Sequence, residues 1–220
     1  IYDKISTQIL LQFKPLDMPV GCVRVVHGRS KSGCRQLPME AVCGHRLNKN
    51  LLQEIKDSGH NYVEISRLGI DKDFRHMGRT GQSGLRTPVR GSCALIALFL
   101  GIQAYARVSD TKYLMAIVER RLLNNMKKIG IPIVLMGEGV EHRGTRFPIL
   151  MDREKIEKIV PYLLRPLYYR IQKDIKKSAQ GYFKDLNIQN LDDMEHFPFS
   201  TLLTSEFNTD WRHKKGNVRL

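Results

Sequence analysis

Ten consecutive apolar residues, Cys93 to Ile102 (CALIALFLGI), constrain this chain more than any other feature. A membrane-spanning helix needs about 20 such residues, so the run cannot span a bilayer. Ser92 suits an N-cap, and the apolar character persists nearly all round until about Arg107. The prediction is a helix buried in protein from Ser92 to about Arg107. A chain of 220 residues, 42% apolar and 26% charged, is long enough to bury it without disulfides or metals. That composition excludes collagen-like, low-complexity and wholly disordered classes.

Around this helix the pattern alternates between strand and helix. Gln8–Phe13 and Val20–Val26 predict a hairpin across a turn at Pro15 to Pro19. His27–Asn50 reads mostly as loop, with a short helix at Leu47–Lys56. Asn61–Ile70 predicts a strand with Tyr62, Glu64, Ser66 and Leu68 on one side and Val63, Ile65 and Arg67 on the other. Asp71–Gly91 is a long polar stretch, of the kind that is usually functional or mobile. Tyr113–Val118 is a strand, Glu119–Ile129 a helix closed by Gly130, and Ile131–Met136 and Thr145–Met151 two further strands. The order β-β-β-α-β-α-β-β predicts an α/β sandwich on a mixed sheet. From Asp152 onward, apolar residues recur at helical spacing from Ile156 to Ile171, with Pro161 and Pro166 expected to break the stretch. Residues 1–152 are therefore expected to form the main domain, and 153–220 a helical C-terminal extension packed on it. The last 40 residues carry no clear pattern. The stretch 156–175 is basic and amphipathic, and either packs on its own domain or contacts a membrane surface. Ile1 to Phe13 already has the character of a domain interior, so an upstream segment is expected.

The formal charge is +14, with most of the excess before residue 150. Such a field favours an acidic partner. Lys and Arg are not interleaved with exposed aromatics and no recognition motif appears, so no specific nucleic acid is expected. Cys22, Cys34, Cys43 and Cys93 form no CxxC pair. A zinc set of Cys34 and Cys43 with His27 or His45 fits no common spacing, and buried thiols in a reducing cytosol are the expectation, with no metal.

An ordered series of motifs then points to a family. Tyr2-Asp3-Lys4-Ile5-Ser6, Gly21-Cys22-Val23-Arg24, Pro38-Met39-Glu40 and Glu64-Ile65-Ser66-Arg67-Leu68 are followed by Phe74-Arg75. Met115-Ala116-Ile117-Val118-Glu119, Ile129-Gly130-Ile131 and Glu141-His142-Arg143-Gly144-Thr145-Arg146-Phe147-Pro148 continue it. Over about Tyr2–Asp152 this resembles the acyltransferases associated with the PEP-CTERM/exosortase system and the long-chain N-acyl amino acid synthases. More distantly it is similar to the acyl-homoserine-lactone (autoinducer) synthases. The resemblance implies the GNAT acyltransferase fold, with the first strand and helices lying upstream. It also implies transfer of a fatty acyl group from an acyl carrier protein thioester to the amine of an amino acid or similar acceptor.

That reaction needs a base, preorganised donors for an oxyanion, and positioning. Glu64 is the first candidate base; its alternative is a salt bridge to Arg67 or Arg24. Arg67 and Arg24 suit an acceptor carboxylate, or else form a structural ion-pair network. Glu119, between strand and helix, is a catalytic candidate or a first-turn carboxylate. Asp3 aligns with an acidic acceptor-contacting position, and Ser66, Leu68, Gly69, Ile70 and His142 complete the expected acceptor surroundings; His142 can equally be a solvated loop residue. Arg75, Arg79, Arg86 and Arg90 suit docking of an acidic carrier protein, or are a solvated basic loop. The family's CoA-dependent relatives use a Gln/Arg-x-x-Gly-x-Gly/Ala turn opening into a helix. Here Arg75-His76-Met77-Gly78 is followed by Gly81 and then about ten residues before Ser92, which disfavours acyl-CoA as donor. No tightly bound cofactor is expected, and the leaving-group acid has no candidate. Leu95, Ile96, Leu98, Phe99 and Leu100 are candidate acyl-chain lining or ordinary core. Alternatives are an autoinducer synthase, whose aromatic-rich N-terminal region is missing here, and a non-catalytic lipid-binding protein on the same fold. A cytoplasmic location, with membrane association open, is the corresponding expectation.

Overall fold

The computed structural model describes residues 2–13, 17–30, 33–75, 91–185 and 200–205. Strands β1 (Ser6–Phe13) and β2 (Met18–His27) form the expected antiparallel hairpin. After the two-residue strands β3 (Arg29–Ser30) and β4 (Gly33–Cys34) come helices α1 (Pro38–Cys43) and α2 (Lys49–Asp57) and strand β5 (Asn61–Ile70). Next are α3 (Lys72–Arg75), α4 (Gly91–Val108), β6 (Thr111–Glu119) and α5 (Arg120–Lys128). Strands β7 (Ile133–Leu135), β8 (Val140–Glu141) and β9 (Thr145–Asp152) precede α6 (Arg153–Ile159), a 3-10 turn at Tyr162–Leu164, α7 (Arg165–Asp185) and β10 (Ser200–Ser205).

The main sheet runs β10-β1-β2-β5-β6-β9-β7, with β8 on β9. It is a mixed α/β arrangement: most pairs are antiparallel, while β5–β6 and β1–β10 are parallel. Residues of α1 and α2 pack on one face around Leu37, Met39, Leu52, Tyr62, Met115 and Met136. The other face carries α4, α5, α6 and α7 over Ile9, Val23, Val63, Leu114 and Ile149. α4 contacts four strands and also α3, α6 and α7, which covers most of a helix apolar nearly all round and leaves Ile96 exposed. Thr7 Oγ1, His27 Nε2 and Tyr105 Oη lie 2.9–3.1 Å apart and tie β1, β2 and α4 together. Burial, with the Arg35 charge beside it, pushes the His27 imidazole down to about 4, so it is neutral in this network.

Four sequence expectations are corrected. Pro38–Cys43 is a helix rather than loop, started by a proline and by Glu40, whose Oε1 accepts the Leu37 N–H at 2.9 Å. Pro166 does not break its helix: it sits in the first turn of α7, where no intrahelical N–H is required. Pro161 does lie at a break, between α6 and the 3-10 turn. The extension is not purely helical, because β10 adds a parallel strand beside β1. Of the four thiols only Cys43 is buried; Cys34 is exposed.

Gly137 fastens the turn before α2 to the end of β7. It bridges Leu47, and Asn48 N–H donates to Met136 O while Glu138 N–H donates to Arg46 O. A Cβ on Gly137 would stand 2.1 Å from the Arg46 carbonyl oxygen, which is backbone and cannot rotate away. Gly137→Ala is expected to cost about 3 kcal/mol, lowering Tm by roughly 10 °C in a circular-dichroism melt. An unchanged Tm would show that this contact is loose.

Candidate functional site

The site begins with how β5 meets its neighbours. Its pairing with β6 covers Asn61 to Ile65 against Thr111 to Ala116 and stops there. Both strands continue, to Ile70 and Glu119, held by their other neighbours β2 and β9. The sheet therefore opens into a V between two parallel strands. On the β2 side, Arg24 pairs with Ser66 but Cys22 with Gly69, so Arg67 and Leu68 stand opposite Val23 alone. This bulge puts Arg67 at φ 51°, a left-handed conformation costly for any residue that carries a Cβ.

The V holds a cleft of about 330 Å³. Ser66, Arg67 and Leu68 form one wall and Ile117, Val118 and Glu119 the other, with Ala116 at the apex. Phe99 of α4, Leu122 and Met126 of α5, and Ile149 and Met151 of β9 close it. The mouth carries an ion pair, Arg146 Nη2 to Glu119 Oε1 at 3.0 Å. Glu119 is the N-cap residue of α5 but makes no side-chain cap bond, so its partner is Arg146 rather than the helix end.

Glu64 sits in the last paired stretch of β5, in register with Met115 and Val26. It faces the α1 layer and is only 3% exposed. The second residue of α1, Met39, has a backbone N–H that no intrahelical carbonyl can take, and it donates to Glu64 Oε2 at 2.7 Å. Glu40 is anchored by Lys56 Nζ at 2.8 Å, which fixes this helix end. Burial pushes the Glu64 carboxyl up to about 7. The Met39 N–H and the Arg24 charge pull it down less than burial raises it, and Glu40 adds to the rise. Glu64 forms no salt bridge to Arg24 or Arg67 among the described residues; those arginines are engaged elsewhere.

Arg24, itself buried, donates from Nε to Ser66 Oγ at 3.0 Å and from Nη1 to Asp3 Oδ1 at 2.8 Å. Arg67 Nη1 reaches the same Asp3 oxygen at 3.3 Å. The Arg24 hydrogen bond holds the Asp3 carboxyl below its ordinary value, and the charges of Arg67 and Arg24 act the same way against partial desolvation. Asp3 from the N-terminal turn, Arg24 from β2, and Ser66 and Arg67 from β5, the strand that also carries Glu64, thus form one cluster. Arg67 remains mostly exposed.

Other sequence candidates fall apart from this cluster. Leu68 lines the cleft, whereas Gly69 and Ile70 pair with β2 and do not. His142 is exposed in the turn between β8 and β9 and lines no part of the cleft. Of the α4 residues proposed as chain lining, only Phe99 reaches the cleft; Leu98 is core, against β2. Arg79, Arg86 and Arg90 lie outside the described residues, and so does the Arg75 side chain at the end of α3. Contributors that the sequence pattern does not single out include the Met39 N–H, the apex residue Ala116, and Leu122 and Met126 on α5. For Met39 a signal existed, in Pro38 followed by Glu40 three residues after Leu37. Among the described residues no three His, Cys, Asp or Glu side chains converge as metal ligands, and no helix is long and apolar enough to cross a membrane.

No family model matches the sequence, and no curated protein matches it. Among solved structures the chain is similar to FeeM, an N-acyl amino acid synthase from uncultured soil microbes, at 13% identity over 66% of this chain and 72% of that one, with a TM-score of 0.46. It is also similar to BjaI, a CoA-dependent acyl-homoserine lactone synthase, at 14% identity over 65% and 58% of the two chains, TM-score 0.41. For LasI, an acyl-homoserine lactone synthase, the values are 17%, 62%, 59% and 0.37. The chain spans 58% of BjaI and 59% of LasI. At such identities no residue role carries over, and the chemistry has to be read from this chain's own side chains.

Proposed function

We propose that this chain is an N-acyltransferase that moves a fatty acyl group from a thioester to the amine of an amino acid or similar acceptor. The observation that carries this reading is a buried carboxylate, Glu64, titrating near 7 one step before two parallel strands part around an apolar cleft. A base with that pKa is half-ionised at neutral pH, where it both accepts and returns protons well. Beyond Ala116 the β6 edge facing β5 has no strand partner among the described residues. An extended pantetheine arm can lie there as an added strand, with main-chain hydrogen bonds holding it. The acyl chain then enters the space among Phe99, Leu122 and Met126.

In the reaction Glu64 takes a proton from the acceptor ammonium, directly or through a water. The amine nitrogen attacks the thioester carbonyl, forming the C–N bond and a tetrahedral oxyanion. The C–S bond breaks as the oxyanion collapses, and the extra proton still on the attacking nitrogen passes through solvent to the leaving thiolate, whose pKa lies at about 8.5, giving the neutral amide and the thiol. Arg67 offers an exposed guanidinium to the acceptor's carboxylate, with Asp3 and Arg24 setting its position. The donor we favour is acyl carrier protein, an acidic protein suited to a chain of charge +14. No tightly bound cofactor is then required, since the donor brings its own phosphopantetheine.

Mass spectrometry of organic extracts from bacteria expressing the chain tests this. N-acyl amino acids are expected with the wild type and not with Glu64→Gln. If the purified chain also releases no thiol from acyl carrier protein or CoA thioesters with any amino acid, the catalytic reading falls and a lipid-binding role replaces it.

A further inference from the structure

Where α6 gives way to α7, the chain exposes side chains that a folded protein usually hides. The 3-10 turn after Pro161 leaves Tyr162 81% and Leu163 86% exposed, while Leu164 turns into the core. Ile159 and Tyr169 add exposed apolar surface on either side. The apolar stripe of α7 itself, Tyr168, Ile171 and Ile175, is buried, with α4 as its neighbour. What is left is a protruding corner.

Its surroundings are cationic. Lys155, Lys158, Arg165, Lys173 and Lys176 are exposed. A groove of about 630 Å³ between α6 and α7 is walled by Arg107, Lys158, Arg165, Tyr169 and Lys176. Two carboxylates also line it, Glu154 and Glu157. Glu157 is already bound by Arg153 at 3.2 Å, Arg107 at 3.5 Å and the Tyr168 hydroxyl at 2.7 Å, and Glu154 by Arg153 at 3.4 Å. Lys158, Arg165 and Lys176 have no carboxylate partner among the described residues.

We infer that this corner is a docking surface for an anionic lipid bilayer, with Tyr162 and Leu163 entering the interface while Lys158, Arg165 and Lys176 meet lipid phosphates. Tyrosine suits the headgroup level because one end is apolar and the other polar. Leu163 gains from leaving water, and a cation near an anionic surface adds about fivefold in affinity. Together they give the two signals that reversible membrane attachment needs. A protein partner is the weaker match, because the exposed apolar side chains protrude and the groove beside them is walled mainly by charged side chains, so no concave apolar site accompanies them. The inference does not depend on acyl transfer: it uses no residue of the cleft.

Vesicle co-sedimentation of the whole chain tests it. Phosphatidylcholine vesicles containing phosphatidylglycerol should retain the protein about tenfold better than pure phosphatidylcholine, and high salt should release it. Tyr162→Ser/Leu163→Ser should weaken retention about tenfold, with melting temperature unchanged because both side chains are solvent-exposed. Lys158→Glu/Lys176→Glu should do the same. Equal retention by neutral vesicles, retention unaffected by Tyr162→Ser/Leu163→Ser, or no retention by either vesicle overturns the inference. It is also overturned if the lysine variant impairs use of acidic carrier protein while vesicle binding is intact, which would make the corner a protein-docking face.

Discussion

Glu64→Gln should lower acyl transfer about 10²- to 10⁴-fold while making the protein more stable above pH 7. The two effects have one cause. Glu64 is enclosed by α1 and the sheet, so ionising it in the folded state costs desolvation that the Met39 N–H only partly offsets. Its folded pKa, about 7, lies above the unfolded value of 4.5. The folded state therefore binds this proton more tightly, and the resulting stability is fully present below pH 4.5. It is lost as pH rises through 7. The loss approaches about 3 kcal/mol. Glutamine keeps an oxygen for the Met39 N–H and carries no proton to lose. The variant's melting advantage over wild type should be near zero at pH 4 and grow to roughly 10 °C by pH 8. A constant difference across that range would mean that Glu64 is not the titrating group.

Ala116→Leu should reduce kcat/KM for long-chain thioesters about 10- to 100-fold. Ala116 stands at the apex of the V, in register with Ile65 and Ile149, and is the small residue that leaves the cleft open. Three extra carbons there compete with the substrate for the same volume. Short-chain thioesters, which need less of the cleft, should lose less. An equal loss for every chain length would show that the substitution disturbs the fold rather than the acyl site, and no loss would place the acyl chain elsewhere.

Much of this architecture is legible in the residues because it is local. β5 is bounded at Asn61 and Ile70 by sequence alone, since alternation, a preceding Gly59 and a following Asp71 all agree. α4 follows from ten apolar residues in a row. α1 was not legible by periodicity, because six residues make less than two turns; only Pro38 and Glu40 mark it. β10 pairs with a strand almost two hundred residues earlier and shows no apolar alternation of its own. The site is legible as a set of residue types but not as a geometry. Alternation places Glu64 and Arg67 on opposite sides of the strand, yet a bulge lets Arg67 reach the Asp3 carboxylate that Arg24 also holds. That bulge and the parting of β5 from β6 depend on which strands lie alongside, and nothing in a single strand encodes that.

The most direct test is the pH dependence of amine-dependent thiol release by the purified chain, with two acceptors whose amines differ in pKa. With Glu64 as the base, the profile has an ascending limb near 7 that stays in place when the acceptor changes and disappears in Glu64→Gln. A limb that follows the acceptor's own pKa, with the same profile in wild type and Glu64→Gln, would contradict the assignment of Glu64 as the base.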